Sequence, residues 1–281
     1  MKPVVAIIAP GAMGSAVGAL LAGNGLEVTT PLAGRSPASA ERARKAGMKP
    51  VSDEDVVTAD FVLSIVPPGD ALSLAEKYAP LLGRNNRKPI YVDCNAVNPP
   101  TVERIAAVIA DTGAPFVDAG IVGPPPRPGG KTTAFYASGS EAPRFATLRD
   151  FGLDVRLIDG PVGAASAMKM SYAGITKGIT ALACAMMLAS TRAGTAEALH
   201  RELSQSQPEL LAWFTRQIPL MYSKAYRWIA EMEEIAGFVG EDKEAAQMFD
   251  AIAHFYERIA HDEASSKEET QALSTFLKVH R

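Results

Sequence analysis

The chain has 281 residues, 47% of them hydrophobic and 21% charged, and a formal net charge of −3. That is enough apolar material for two domains. Its lysines and arginines are scattered, which excludes the basic blocks of a nucleic-acid or anionic-membrane surface, so neither partner is expected.

The first 160 residues alternate short apolar runs with helical stretches. "VVAIIA" (4–9), "EVTTPLA" (27–33), "FVLSIV" (61–66), "PIYVDCN" (89–95), "PFVDAGIVG" (115–123), "TAFYASG" (133–139) and "DVRLID" (154–159) read as strands. Helices are predicted at 13–23, 38–46, 70–82 and 99–111. This alternation predicts an α/β fold, a Rossmann-type doubly wound and mostly parallel sheet with helices on both faces. Pro31 lies inside the second strand and is read as a boundary or bulge.

The turn after the first strand reads Ala9-x-Gly11-x-x-Gly14 and leads into a helix. This is the dinucleotide-binding pattern with Ala9 at the first glycine. Gly11, Ala12, Met13 and Gly14 are the residues expected to meet the pyrophosphate, using the unpaired N–H groups of the helix start. The end of the second strand decides between NAD and NADP. No acid occurs between Glu27 and Glu41, and the segment carries Arg35 and Ser36. A guanidinium and a hydroxyl suit a 2′-phosphate, so NADP(H) is favoured over NAD(H). Val66, Pro67 and Asn95 fall at the carboxyl ends of later strands, where doubly wound folds bind ligands, and complete the expected cofactor set.

After Gly160 the chain becomes helical. A long helix is predicted over 164–192, with further helices near 195–205, 208–217, 219–236, 241–261 and 267–278. Ser206 with Glu209 and Ser266 with Glu269 have capping-box spacing, and Pro219 should end or kink a helix. The expected division is a cofactor domain over 1–160 and an interdomain helix plus all-helical domain over 161–281. The longest uncharged apolar run, 178–191, has 14 residues, short of the roughly 20 that span a bilayer. Cys94 and Cys184 match no metal or redox spacing and are expected as free thiols of a reducing cytoplasm. His254 and His261 lack a third ligand at metal spacing, so no metal is expected.

On the long helix Lys169, Tyr172, Thr176 and Thr180 form a narrow polar stripe on otherwise apolar faces. Lys177 lies about 80° round and is expected to face solvent or the cofactor edge. In the helical domain Met221, Tyr222, Ala225, Trp228, Ile229 and Met232 recur at helical spacing and are expected mainly as core. Trp228 and Met232 are the candidates for an apolar substrate wall. Glu233 and Glu234 are expected in solvent.

With these residues placed, the chain resembles the β-hydroxyacid dehydrogenase superfamily, which includes 6-phosphogluconate and 3-hydroxyisobutyrate dehydrogenases. "APGAMGSA", "LSIVPPGDA" (63–71) and "VDCNAVNPPT" (92–101) carry the resemblance in the first domain. Gly160, Gly163, Ala165 and Lys169 follow the spacing of its catalytic glycine–lysine pattern. The resemblance implies that Lys169 is the general acid/base. It also implies an asparagine one turn further on, where this chain offers Tyr172. The family's substrate segment appears as "DAGIVGPPP": Asp118 and Ala119 align, Val122 replaces a serine and Pro124 replaces a glycine, with Gly123 between them. The lost donors imply a substrate less acidic, bulkier or more apolar than the usual small hydroxy acids. The function implied is an NADP-dependent dehydrogenase or reductase acting on a CH–OH/C=O pair. The alternatives are an imine reductase and a catalytically silent NADP-binding sensor. A homodimer through the helical domain is expected as well.

Overall fold

The computed structural model describes residues 2–127 and 133–278. Two compact units divide the chain, Met1–Met170 and Ser171–Arg281, and one long helix runs through the division.

In the first unit the elements follow in the order β1 (Val4–Ile8), α1 (Ala12–Gly23), β2 (Glu27–Pro31), α2 (Pro37–Lys45), β3 (Lys49–Val51), α3 (Asp53–Val56) and β4 (Phe61–Ser64). Then come α4 (Ala71–Arg84), β5 (Ile90–Asp93), α5 (Pro99–Ala110), β6 (Phe116–Val122), β7 (Ala134–Ser138), α6 (Ala142–Phe145) and β8 (Asp154–Leu157). The strands form one sheet in the order β3-β2-β1-β4-β5-β6-β7-β8. Every pair is parallel except β6 with β7. The order reverses at β1, which puts the ligand crevice at the carboxyl ends of β1 and β4.

Alternation within the strands builds two cores. Val5, Ile7, Leu63 and Val92 face α1 and α2, joined by Val17, Leu21 and Ala43. Ala6, Ile8, Val62 and Tyr91 face α4 and α5, joined by Tyr78, Leu82, Ile105 and Ile109. Strands buried on both faces need the near-continuous apolar runs seen in this sequence. Pro31 is the last residue of β2, where its missing N–H costs no interior ladder bond.

The second unit is all helix. The long helix α7 (Ala164–Arg192) enters it, followed by α8 (Ala196–Ser206), α9 (Pro208–Met221), α10 (Ala225–Phe238), α11 (Lys243–Ala264) and α12 (Glu268–Lys278). By length and composition α7 could cross a bilayer. Here it buries Ala181, Cys184, Met187 and Leu188. Both cysteines are buried free thiols, and burial raises Cys184 to about 12. Pro219 sits in the last turn of α9, which ends two residues later and passes into a 3-10 turn.

Two caps differ from expectation. Ser206 ends α8 and bonds back to the Glu202 carbonyl, and α9 starts from Gln207 with no side-chain cap. At α12 the N–H groups of Glu269 and Thr270 donate to Asp262, a residue of the preceding helix, and Ser266 donates to the same carboxylate. Burial works against the charge on Asp262, but the Thr270 and Glu269 donors outweigh it and hold the carboxyl below its ordinary range.

Candidate functional site

The β1–α1 turn is built for an anion. Gly14 lies so close to the Ala9 carbonyl that any Cβ there would collide with it, and around Gly11 the space is open. No side chain caps α1 and its first turn carries no acid, so the leading N–H groups at Ala12, Met13 and Gly14 point outward with a favourable helix dipole behind them. This open, uncapped, donor-rich turn fits a dinucleotide pyrophosphate.

Across the turn stands the start of α2. Ser36 is its N-cap, accepting from Ser39 N, so its hydroxyl already has a structural task. Arg35 is exposed beside it. The sequence reading missed two neighbours. Arg42 donates from Nε to the Pro10 carbonyl at 3.0 Å and from its other nitrogen to Ser39 Oγ at 2.8 Å. Ser39 Oγ lies 3.1 Å from Ser36 Oγ. One guanidinium is thereby tied to the glycine turn next to two hydroxyls, while the charge of Arg35 acts on Asp53 and Tyr78. The signal was there as a third basic or hydroxyl position one and two turns into a predicted helix.

Past β4 the chain opens at Val66 and Pro67. The Val66 N–H donates to Asn95 Oδ1 at 2.7 Å, while Asn95 Nδ2 donates to Ser64 Oγ and to Asp93 at 2.8 Å each. Asn95 is 3% exposed with both its amide hydrogens used. It therefore acts here as a strut fixing the backbone after β4, where the sequence reading made it a direct contact.

Asp118 is a correction of the same kind. Expected to meet substrate, it is 1% exposed. Its carboxylate accepts from Gly163 N at 2.9 Å, Ser166 N at 3.0 Å, Ser166 Oγ at 2.8 Å and Ser138 Oγ at 3.1 Å. Ser138 Oγ also accepts from Ala165 N. A carboxylate at a helix N-terminus is stabilised by the dipole and by the donors it satisfies, so Asp118 fastens the start of α7 to β6. Gly163 reaches the necessary geometry at φ 101, open to glycine alone at little cost. Gly120 completes the joint. A Cβ on it would stand 2.9 Å from Lys169 Cβ and 3.1 Å from the Ala165 carbonyl oxygen, so the strand glycine is what lets the Lys169 turn lie against β6.

Lys169 emerges one turn beyond that joint, half-buried. Among the described residues its Nζ makes no hydrogen bond or ion pair. Val122 is half-buried at the end of β6 and Gly123 is exposed just after it. Part of the proline-rich segment, 128–130, lies outside the described residues.

The remaining candidates belong to the helical unit. Tyr172 is 50% exposed, and Thr176 and Thr180 donate back to carbonyls of their own helix, leaving the polar stripe less available than its spacing suggested. Lys177 does not face solvent: it pairs with Glu231, lies 4.9 Å from the centroid of the Trp228 ring and receives at its carbonyl the Tyr256 hydroxyl. Met232 is fully buried in the helical core, so it is no wall of an open site. Trp228 is half-buried between Lys177 and Tyr256. Glu233 is exposed, whereas Glu234 is only partly so.

Residues 4–151 match the family model of the NAD binding domain of 6-phosphogluconate dehydrogenase. The chain belongs to that family. Residues 191–259 match a second model, described as a domain of unknown function (DUF1932). Among solved structures, the conserved protein MTH1747, described as similar to 3-hydroxyacid dehydrogenases, is 30% identical, with a TM-score of 0.68 over 91% of this chain and 99% of that one. The Mycobacterium tuberculosis 3-hydroxyisobutyrate dehydrogenase, determined with L-serine, is 18% identical with a TM-score of 0.74 over 98% and 99%. An imine reductase from Myxococcus stipitatus in complex with NADP+ is 17% identical with a TM-score of 0.57 over 98% and 100%, and a variant from that organism is in complex with NAD+. Membership in the 6-phosphogluconate and 3-hydroxyisobutyrate dehydrogenase-like superfamily makes the chain an NAD(P)-dependent dehydrogenase or reductase.

Proposed function

We propose that this protein is a soluble NADP(H)-dependent oxidoreductase acting on an alcohol/carbonyl pair, with Lys169 moving the proton at the substrate oxygen. The observation that carries the reading is the Lys169 joint. Asp118, Ser138, Ser166 and Gly120 fix the first turns of α7, and they present an amine with no protein partner among the described residues. A nicotinamide, when bound, gives or takes the hydride; the protein must supply the matching proton, and a positioned lysine can do so in either direction. A lysine positioned here suits proton transfer at an alcohol or carbonyl oxygen.

The preference for NADP(H) rests on the β2–α2 region. No acid lies between Glu27 and Glu41 to accept the ribose 2′-hydroxyl, Ser36, Ser39 and Arg42 gather near the glycine turn, and Arg35 is exposed beside Ser36. The substrate class follows from Val122, Gly123 and Pro124, which offer shape and apolar surface where a carboxylate-binding site needs donors, so a substrate bulkier or more apolar than small hydroxy acids fits. Tyr172, one turn past Lys169 on α7, is assigned to donate a hydrogen bond to the same substrate oxygen or to position Lys169.

A homodimer belongs to the same reading. Tyr172, Ile175, Ile179, Leu182 and Met186 recur three and four residues apart along α7 and are each 41–65% exposed. A long unbroken apolar stripe of that spacing suits a second copy of the same helix.

The experiment is a fluorescence titration with NADPH and NADH, followed by turnover on ketones, aldehydes and imines. Binding of NADPH at least about tenfold tighter than NADH, about 1.4 kcal/mol, is expected, as is loss of turnover in Lys169→Ala with cofactor binding kept. Equal affinities remove the NADP preference. Full turnover in Lys169→Ala with an unchanged pH profile removes the lysine's role. Turnover on imines alone replaces the alcohol/carbonyl assignment, and binding without any turnover turns the protein into a sensor.

A further inference from the structure

Asp93 ends β5 and is 1% exposed, yet no cation approaches it among the described residues. Its register partner on β6 is Asp118. Near it along the chain are Tyr91 on β5 and Cys94 just past its end, both pushed up by burial and therefore neutral near pH 7, and Ser64 stands beside it on β4. Every titratable group around it is thus an acid. Among the described residues, what holds Asp93 is Asn95: the Asn95 backbone N–H donates to one carboxylate oxygen at 3.1 Å and Asn95 Nδ2 donates to the other at 2.8 Å.

A two-pronged grip of this kind depends on charge. The ionised carboxylate is acceptor-only and takes both bonds. Adding a proton makes one oxygen a donor and a poorer acceptor, which weakens the prong that it receives. The side chain that is gripped is the one that accepts the Val66 N–H at 2.7 Å, so the chain of contacts runs from Asp93 through Asn95 to the open backbone at Val66 and Pro67.

We infer that Asp93 is a proton-sensitive positioning residue, which through Asn95 sets the Val66–Pro67 backbone and makes nicotinamide-cofactor affinity rise with pH across neutrality. The inference rests on the cofactor reading given above. Burial, against the opposing Asn95 bonds, raises the Asp93 carboxyl to about 7, which puts the change inside the working range. If only the ionised form holds the binding-competent backbone, apparent affinity scales with its fraction, a change of up to about tenfold between pH 6 and pH 8.

Two measurements on the full chain test this. The first follows the amide signals of Val66 and of the Asn95 side chain by NMR from pH 5.5 to 8.5 without cofactor. They should move together with one midpoint near 7; shifts that stay flat or titrate apart overturn the inference. The second compares NADPH dissociation constants at pH 6 and pH 8 for the unsubstituted protein and for Asp93→Asn, a comparison that cancels the titration of the cofactor's own phosphate. Between those two pH values the unsubstituted protein should gain up to about tenfold more affinity than Asp93→Asn gains, and equal pH slopes overturn the inference. Failure of the unsubstituted protein to bind NADPH or NADH at any pH defeats the cofactor reading instead, and the NMR titration still decides the Asp93 grip. It also decides the matter if Asp93→Asn does not fold.

Discussion

At the scale of single residues the cofactor turn was legible because its chemistry is local. Gly11 and Gly14 are demanded by backbone approach and helix packing, and both demands are written at fixed spacing. Ala9 is the informative exception. It takes the first glycine position and adopts φ 71, the left-handed region that costs an L-residue roughly 1–2 kcal/mol. Its carbonyl receives the Gly11 N–H at 2.8 Å, so the turn holds the conformation in place. Ala9→Gly should relieve the strain, partly offset by the greater freedom of glycine in the unfolded chain. A net gain of up to about 1 kcal/mol is expected, read from the urea midpoint at unchanged slope; a lower midpoint would show that the alanine is not strained. Asp118 and Lys177 were misread for the opposite reason. Spacing identifies which residues share a face, but the partners that occupy them arrive from β7, from α7's own first turn and from α10, far along the chain.

At the scale of elements, seven of the eight strands were legible as apolar runs. The eighth, β3, has three residues and contains Pro50. It is a strand only because β2 offers it an edge, and nothing inside it says so. The same limit applies to the cap of α12, which Asp262 supplies from another helix while the expected Ser266 hydroxyl turns to that carboxylate. α7 shows what periodicity can carry. Its buried side and its apolar exposed side were both implicit in a helix with few charges, and the structure separates them. Ile175, Ile179, Leu182 and Met186 form the exposed side. If that stripe is an interface between two copies, Leu182→Glu puts an unpaired charge in its middle and should weaken association by about 2–5 kcal/mol. Sedimentation at micromolar concentration should give twice the chain mass for the unsubstituted protein and the single mass for Leu182→Glu. An unsubstituted protein that sediments as one chain removes the dimer.

At the scale of the whole molecule the two carboxylates Asp93 and Asp262 pull stability in opposite directions with pH. Asp262 is held below its ordinary range, so its contribution is present above about pH 4, the unfolded value, and is lost as pH falls through its lower folded value. Asp93 is raised to about 7. Between about pH 4 and 7 the folded chain keeps a proton there that the unfolded chain has released, so stability falls as pH rises through that window and levels off above it. For a group this deeply buried the fall is of the order of a few kcal/mol at most. Taken by themselves the two effects are jointly most favourable at about pH 4, and they arise independently, at the carboxyl end of β5 and in the helical unit. Urea midpoints measured at pH 5, 6, 7 and 8 should decline for the unsubstituted protein. Asp93→Asn should flatten that decline. An unsubstituted profile already flat from pH 5 to 8 would mean that the Asp93 carboxylate finds compensation in the folded protein, and the grip on Asn95 would then hold at every pH in that range.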